Sequence, residues 1–279
     1  VNSDGVNRIV GTAQAETMLK NVLAACSTQH PDMAFASDLR GEASAFALLI
    51  NGQASMALIE REITPPESVP YRKQTATSPF ALRVAISAHA TAGVYVHRSN
   101  PLPQLTLSQL AQIFTQGAAA GNLSYWGQLD LDHPWRQQPI CPLSYAEDSA
   151  LMHYLQQHHF AGRELSAHSE YFADNDALLK RLAECPQAIA IAPAGGENAA
   201  IRLLPLAADN ATTAQHRLSD HYPLTRYVYL YLSPDADPRL AQFMLSAPGQ
   251  QIIGQSGSDF FALSASEAAH QQSRLLEPR

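Results

Sequence analysis

The residues that could do chemistry stand at the junctions between strand-like and helical runs. Gly11-Thr12 closes a strand-like run, Arg40–Ser44 precedes an apolar helical stretch, Ile59–Glu62 follows a second strand, and Ser144–Leu151 leads into another helix. In open α/β sheets, ligands lie outside the carboxyl ends of the strands, often at helix N-termini. These four loops are therefore the candidate binding loops, and Gly11, Thr12, Glu42, Ser44, Glu60, Arg61, Tyr145 and Ser149 are their candidate residues. No covalent or metal chemistry accompanies them. There is no GxSxG elbow, no P-loop, no GxGxxG after a strand and no HExxH. Gly195-Gly196 reads as a plain turn. The pattern is that of a binder, not an enzyme, with no catalytic residue, metal or cofactor.

Cysteines and histidines add no site of their own. Cys26, Cys141 and Cys185 form no CxxC pair and no zinc spacing. Cys26 falls on the apolar face of a predicted helix and reads as a small buried hydrophobe. Cys141 and Cys185 each precede an apolar strand-like run. Two readings stand for them, a disulfide and a pair of buried thiols. The eleven histidines are scattered, and His153, His158 and His159 read as solvated surface groups.

The elements that must position the loops alternate in period. Arg8–Thr12, Met33–Ala36, Ser55–Ile59, Leu82–Ile86, Val94–Val96, Ala188–Ala192 and Val228–Leu232 read as strands. Ala15, Met18, Leu19, Val22, Leu23 and Cys26 recur at three and four residues, so Ala13–Cys26 is an amphipathic helix. Ser44–Ile50 is a short buried helix stopped at Asn51-Gly52. Thr64–Pro79, with four prolines, reads as a loop. Thr106 and Gln109 form a capping box for a helix over Leu107–Phe114, flanked by Leu105 and Leu110 as a hydrophobic staple, with Gly117 as its stop. Ser149–His159 and Asp176–Glu184 are helices. Asp237-Pro238 opens a last helix, and Ser264–Arg279 reads as a polar, loosely attached tail. Strands alternating with helices imply an α/β protein with mainly parallel sheets.

Composition bounds the function class. The chain has 279 residues, 46% hydrophobic and 15% charged, which is globular and long enough for two cores of roughly 100–150 residues each. A formal net charge of -7 argues against a general nucleic-acid or anionic-membrane surface. No stretch approaches the roughly 20 apolar residues of a membrane span. The N-terminal Val-Asn-Ser-Asp-Gly carries no basic n-region or apolar h-region. Two readings are open, a cytosolic chain and one whose signal peptide has been removed.

Four segments, in order, resemble one family. Leu105-Thr-Leu-Ser-Gln-Leu-Ala-Gln-Ile-Phe114 with Tyr125-Trp126-Gly127-Gln128-Leu129 is similar to an "LT..Q...IF…W..L" stretch of the phosphate-binding components of bacterial ABC importers. Val94-Tyr-Val96 with Ser99-Asn100-Pro101 resembles that family's strand leaving the hinge. Tyr222-Pro-Leu-Thr-Arg226 with Tyr229-Leu-Tyr231 resembles its "YPL.R..Y.Y" return strand. Phe243-Met-Leu-Ser246 with Pro248-Gly249-Gln250 and Gly257 is similar to its C-terminal helix. The resemblance implies a two-lobed periplasmic-binding-protein fold of type II, with lobes joined by crossing strands near His89–Val94 and Tyr222–Tyr227. Lobe I is then 1–93 and 226–279, and lobe II is 94–225. It further implies a monomer in the periplasm or cell envelope, a ligand captured in the interlobe cleft, and an ABC permease as partner.

In that family an oxyanion is held by Ser/Thr hydroxyls, helix-start amides, an Arg and an acidic acceptor, donors that favour negative charge. This chain keeps only part of the set. Gly11-Thr12 stands at the first loop. Ser44 stands in the second, where Glu42-Ala43 replaces Gly-Ser or Ser-Ser. Glu60 takes the place of a Ser before Arg61, and Tyr145 that of the Arg in "GR..SGT", with Ala150-Leu151 after Ser149 instead of Gly-Thr. Each has a plainer reading: Glu42, Glu147 and Asp148 as exposed helix-start residues, Arg61 as a surface ion pair, Tyr145 as packing, Thr12 and Ser149 as N-caps. Together the substitutions predict weak phosphate binding and leave the anion class open to a different ligand. The alternative function is a binding-protein fold reused as a sensor or protein-interaction module with a vestigial cleft.

Overall fold

The computed structural model describes residues 5–211, 213–216, 218–257 and 259–277. Val1–Asp4 and the last two residues of the polar C-terminal stretch lie outside the described residues. The chain divides into two compact units, one made of 1–88 and 226–279 and the other of 89–225. Residues 89–93 group with the second.

The first unit is built from β1 (Val6–Gly11), α1 (Glu16–Gln29, after a 3-10 turn at Ala13–Ala15), β2 (Ala34–Asp38), α2 (Glu42–Ile50), β3 (Met56–Ile59), α3 (Pro65–Thr75) and β4 (Phe80–Ser87). The second unit holds β5 (Ala92–His97), β6 (Leu105–Thr106), α4 (Leu107–Phe114), β7 (Cys141–Tyr145), α5 (Ala150–His158), β8 (Glu170–Phe172), α6 (Asn175–Glu184), β9 (Ala188–Pro193), β10 (Ile201–Leu203) and β11 (Leu206–Ala207). The chain then returns to the first unit through β12 (Tyr227–Leu232), α7 (Arg239–Leu245), α8 (Ala247–Gln255), β13 (Phe260–Phe261) and α9 (Ala265–Leu276).

The first sheet runs β13-β4-β12-β3-β1-β2 and the second β10-β5-β9-β7-β8. Both are mixed, which corrects the expectation of mainly parallel sheets. β1 is parallel to β2 and β3, while β12 is antiparallel to β3 and β4. In the second sheet β7 is parallel to β8 and β9, and β5 is antiparallel to β9 and β10. In the first sheet the cause is the late return of the chain: β12 enters between β3 and β4 in the opposite sense, which no local hydrophobic pattern encodes.

The apolar face read on the first helix forms the core of the first unit. Met18, Leu19, Val22 and Cys26 of α1 are buried with Ile9, Met56, Leu58, Val84 and Leu230. Leu110, Ile113 and Phe114 of α4 serve the second unit, packed with Val94, Leu143, Ile189 and Trp126. Trp126 is fully buried, its indole N–H donates to Gln187 O at 3.1 Å, and Trp135 meets it edge-on at 6.1 Å and 89°. Thr106 and Gln109 do form the reciprocal cap of α4, each backbone N–H bonded to the other's side chain. That helix ends at Phe114, before Gly117.

Two segments read as irregular are helical. Thr64–Pro79 contains α3, because Thr64 and Glu67 make a capping box and prolines occupy the first turn, where no N–H is needed. Tyr71 then buries its ring at 5.7 Å from Phe46. Ser264–Glu277 is not a loose tail. Ser264 caps α9, whose Ala268, Gln271 and Leu275 are buried, and Gln271 Oε1 accepts the Arg83 N–H of β4 at 3.1 Å. The helix opened by Asp237 is α7, with Asp237 bonded to the Arg239 N–H at 3.0 Å and Pro238 at the cap position; two more helices follow it.

Candidate functional site

Because β2, β1 and β3 are parallel, their carboxyl ends share one edge of the first sheet, with Gly11 opposite Leu58 and Val10 opposite Asp38. The loops after these strands are tied together by backbone bonds. Thr12 N–H donates to Leu58 O at 3.0 Å and Gly41 N–H to Gly11 O at 2.9 Å. Gly11 has a φ of 149°, and a Cβ there would lie 2.0 Å from Leu58 O. Gly41, at φ 133°, turns the chain into α2. Both positions need glycine's conformational freedom.

On this edge the candidate residues of the first unit split into two groups. Thr12 is buried, and its hydroxyl donates to Gln14 Oε1 at 2.7 Å. Ser44 sits exposed in the first turn of α2. Glu42, Glu60 and Arg61 form a connected cluster. Glu42 Oε1 accepts the Glu60 backbone N–H at 2.5 Å, and Glu42 Oε2 lies 3.6 Å from Arg61 Nε. The other face of the Arg61 guanidinium makes a bidentate pair with Glu67, at 2.8 and 2.7 Å. These bonds hold the Glu67 carboxyl far down, to about 2, with the Thr64 backbone and hydroxyl assisting. Arg61 is correspondingly raised, first by Glu67.

Around the cluster stand groups that the sequence reading had not placed there. Tyr229 OH donates to Glu62 Oε1 at 3.0 Å, and Tyr231 OH accepts the Ile63 N–H at 2.9 Å. Burial pushes the Tyr231 hydroxyl up to about 12 and raises Tyr229 as well. Arg226 reaches Glu60 O at 3.5 Å. Their common signal was present: alternate residues of β12 face one side, so Tyr229 and Tyr231 had to share a face. Arg40 does not join the cluster; it chelates Asp38 through Nε at 2.7 and 2.9 Å and is well exposed.

The second unit holds Tyr145 and Ser149. Tyr145 ends β7, and its hydroxyl donates to Asn175 Oδ1 at 3.2 Å, with burial raising its ionisation. Ser149 is the N-cap of α5, accepting the Met152 N–H at 3.3 Å. Glu147 accepts the Leu165 N–H at 2.8 Å, so this carboxylate braces a loop within its own unit. Among the described residues no group of His, Cys, Asp and Glu could hold a metal ion, and no helix is long and apolar enough to cross a membrane.

The strand-end edge of the first sheet is filled from within. Its backbone N–H at Glu60 and its guanidinium at Arg61 already face carboxylates of the chain.

Comparison with known proteins agrees with the architecture. A family model described as a PBP superfamily domain matches residues 3–245. The phosphate-binding protein PstS of Pseudomonas aeruginosa is 23% identical over 243 residues, covering 82% of this chain and 74% of that protein. Among solved structures, PstS from Borrelia burgdorferi matches with a TM-score of 0.67 at 14% identity, covering 93% of this chain and 99% of that one. An ABC-type phosphate transport receptor from Vibrio cholerae matches with a TM-score of 0.63 at 17% identity, covering 92% and 99%. The two-lobed α/β fold of binding proteins is thus the fold of this chain.

Proposed function

We infer that this chain, which belongs to the PBP superfamily, is a solute-binding receptor of the ABC-importer type that does not hold phosphate tightly. Kinship with phosphate-binding relatives supports the receptor role, a location in the periplasm or cell envelope, and an ABC permease as partner. One observation carries the departure in ligand: the Glu42 carboxylate sits on the Glu60 N–H and beside Arg61. A dianion at this edge has to displace that carboxylate and approach Glu60 and Glu62. Each carboxylate opposes it by about 1 kcal/mol at solvent-like screening and by more where water is excluded. The Arg61 charge is already paired with Glu67. The edge favours a solute that is neutral or carries a cationic group for these carboxylates.

Titration calorimetry with inorganic phosphate at neutral pH, alongside a thermal-shift screen of oxyanions, amino acids and cations, tests the reading. Binding to the folded state raises the melting temperature by mass action. The expected result is no phosphate heat and a shift with a neutral or cationic solute. Micromolar phosphate binding overturns the ligand reading. A screen with no shift at all points to the sensor or protein-interaction role.

A further inference from the structure

The second unit contains two of the three cysteines, and the sheet brings them together. Cys141 opens β7, where its Cα is paired with Ala188 of β9. The turn just before β9 holds Cys185: Ala188 N–H donates to Cys185 O at 3.0 Å, and Cys141 N–H donates to Gln187 O at 3.2 Å. Cys185 thus stands at the end of α6 directly beside the first residue of the neighbouring strand. Their accessibility differs. Cys185 is 8% exposed, whereas Cys141 is only partly buried and lines a cavity of about 650 Å³ with Ile113, Pro142, Ser166 and Glu170. Cys26 is fully buried in the first unit, far along the chain from both.

We propose that Cys141 and Cys185 form a cross-linking pair, joined as a disulfide whenever the chain meets a disulfide donor. Burial, and then the neighbouring Cys185 thiol, raise the Cys141 thiol, so the attacking thiolate forms more readily, and the reaction quickens, as pH rises. The order of steps follows from exposure. The Cys141 thiolate, its proton lost to solvent, attacks a sulfur of the donor disulfide, reached through the cavity. An S–S bond forms to Cys141, and the donor's other sulfur leaves as thiolate. The Cys185 thiolate then attacks the Cys141 sulfur, and the second donor sulfur departs. The chain loses two electrons and two protons, and the donor disulfide is reduced to two thiols. The bond closes the loop from the start of β7 to the end of α6, restricting the unfolded chain.

Occurrence in cells rests on the envelope location proposed above, because cytosolic thiols are kept reduced; the chemistry of the pair does not. The test uses the full chain, reduced and then held with oxidised and reduced glutathione at mildly alkaline pH. Thiol titration is expected to fall from three groups to one, with peptide mapping joining Cys141 to Cys185 and leaving Cys26 free. Cys185→Ser is expected to stop at a glutathione adduct on Cys141, and Cys141→Ser to leave Cys185 unmodified in the folded chain. Three persisting thiols, or a stable adduct on Cys141 in the unsubstituted chain, overturn the pairing. If the link forms in the purified chain but thiols trapped in cells are reduced, the location fails and the pairing stands.

Discussion

The carboxylate of Glu42 accepts the backbone N–H of Glu60 across 18 positions of sequence, at 2.5 Å. One residue later, Arg61 lies between that carboxylate and Glu67. The first strand-end edge is in this way occupied by its own side chains.

Glu42→Ser should make the edge more receptive to oxyanions. Removing one like charge of about 1 kcal/mol or more corresponds to roughly a five- to tenfold gain in phosphate affinity. The same change gives up a charge-assisted bond, so stability should fall by about 1.5–3 kcal/mol. Calorimetry and urea unfolding of the two proteins read the two effects separately. Unchanged phosphate binding would mean that Glu42 does not guard the edge.

Glu67 gives the first unit an acid dependence of known sign. Its folded-state ionisation, near 2, lies below the ordinary carboxylate value of 4.5. Its contribution is therefore complete above about pH 4.5 and is lost as pH falls toward about 2. Glu67 and Arg61 keep about 30% of their side chains in solvent, so screening holds the effect to about 1 kcal/mol. Melting temperatures of the chain and of Glu67→Gln should differ most near neutrality and converge in acid, with the difference shrinking in high salt.

Gly11→Ala should be among the most damaging single-methyl additions. Its Cβ would stand 2.0 Å from Leu58 O at a φ of 149°, forcing β1 away from β3. A loss of about 3 kcal/mol is expected. Gly52→Ala, at φ 68° with open space around the new carbon, should cost only about 1 kcal/mol. Denaturant midpoints of the two variants provide the comparison, and equal losses would contradict the packing described.

Gln271→Leu tests whether α9 is part of the first unit. The substitution preserves volume but removes the acceptor for the Arg83 N–H and the donor to Glu267 Oε1. A buried N–H left without a partner costs about 1–3 kcal/mol. Hydrogen exchange at the Arg83 amide should accelerate in the variant. Exchange as slow as in the parent chain would show that another group protects it.

Much of this architecture was legible because it is local. The helix at Leu107–Phe114 announced itself through Thr106 and Gln109, and the first helix through its apolar repeat. The polar stretch after Ser264 misled because α9 buries only Ala268, Gln271 and Leu275, and one of those three is a glutamine. Thr64–Pro79 misled because its prolines outweighed the Thr64–Glu67 cap. That second misreading hid the partner of Arg61: with α3 unseen, Glu67 had no defined place. Glu42 and Glu60 each stood in a loop already singled out, yet their bond depends on β1 lying between β2 and β3. Strand order is a long-range property, and neither residue reveals it.

The pair of indoles in the second unit has a use beyond packing. The chain has only two tryptophans, Trp126 and Trp135, and both fall within 89–225. Intrinsic indole fluorescence is therefore a spectroscopic reporter of that unit alone, while the first unit emits only through its tyrosines. With the rings perpendicular at 6.1 Å, their near-ultraviolet circular dichroism should carry a coupled signal that vanishes when the second unit melts. A denaturation followed by indole emission and by far-ultraviolet circular dichroism can then separate the melting of the second unit from that of the first without a label.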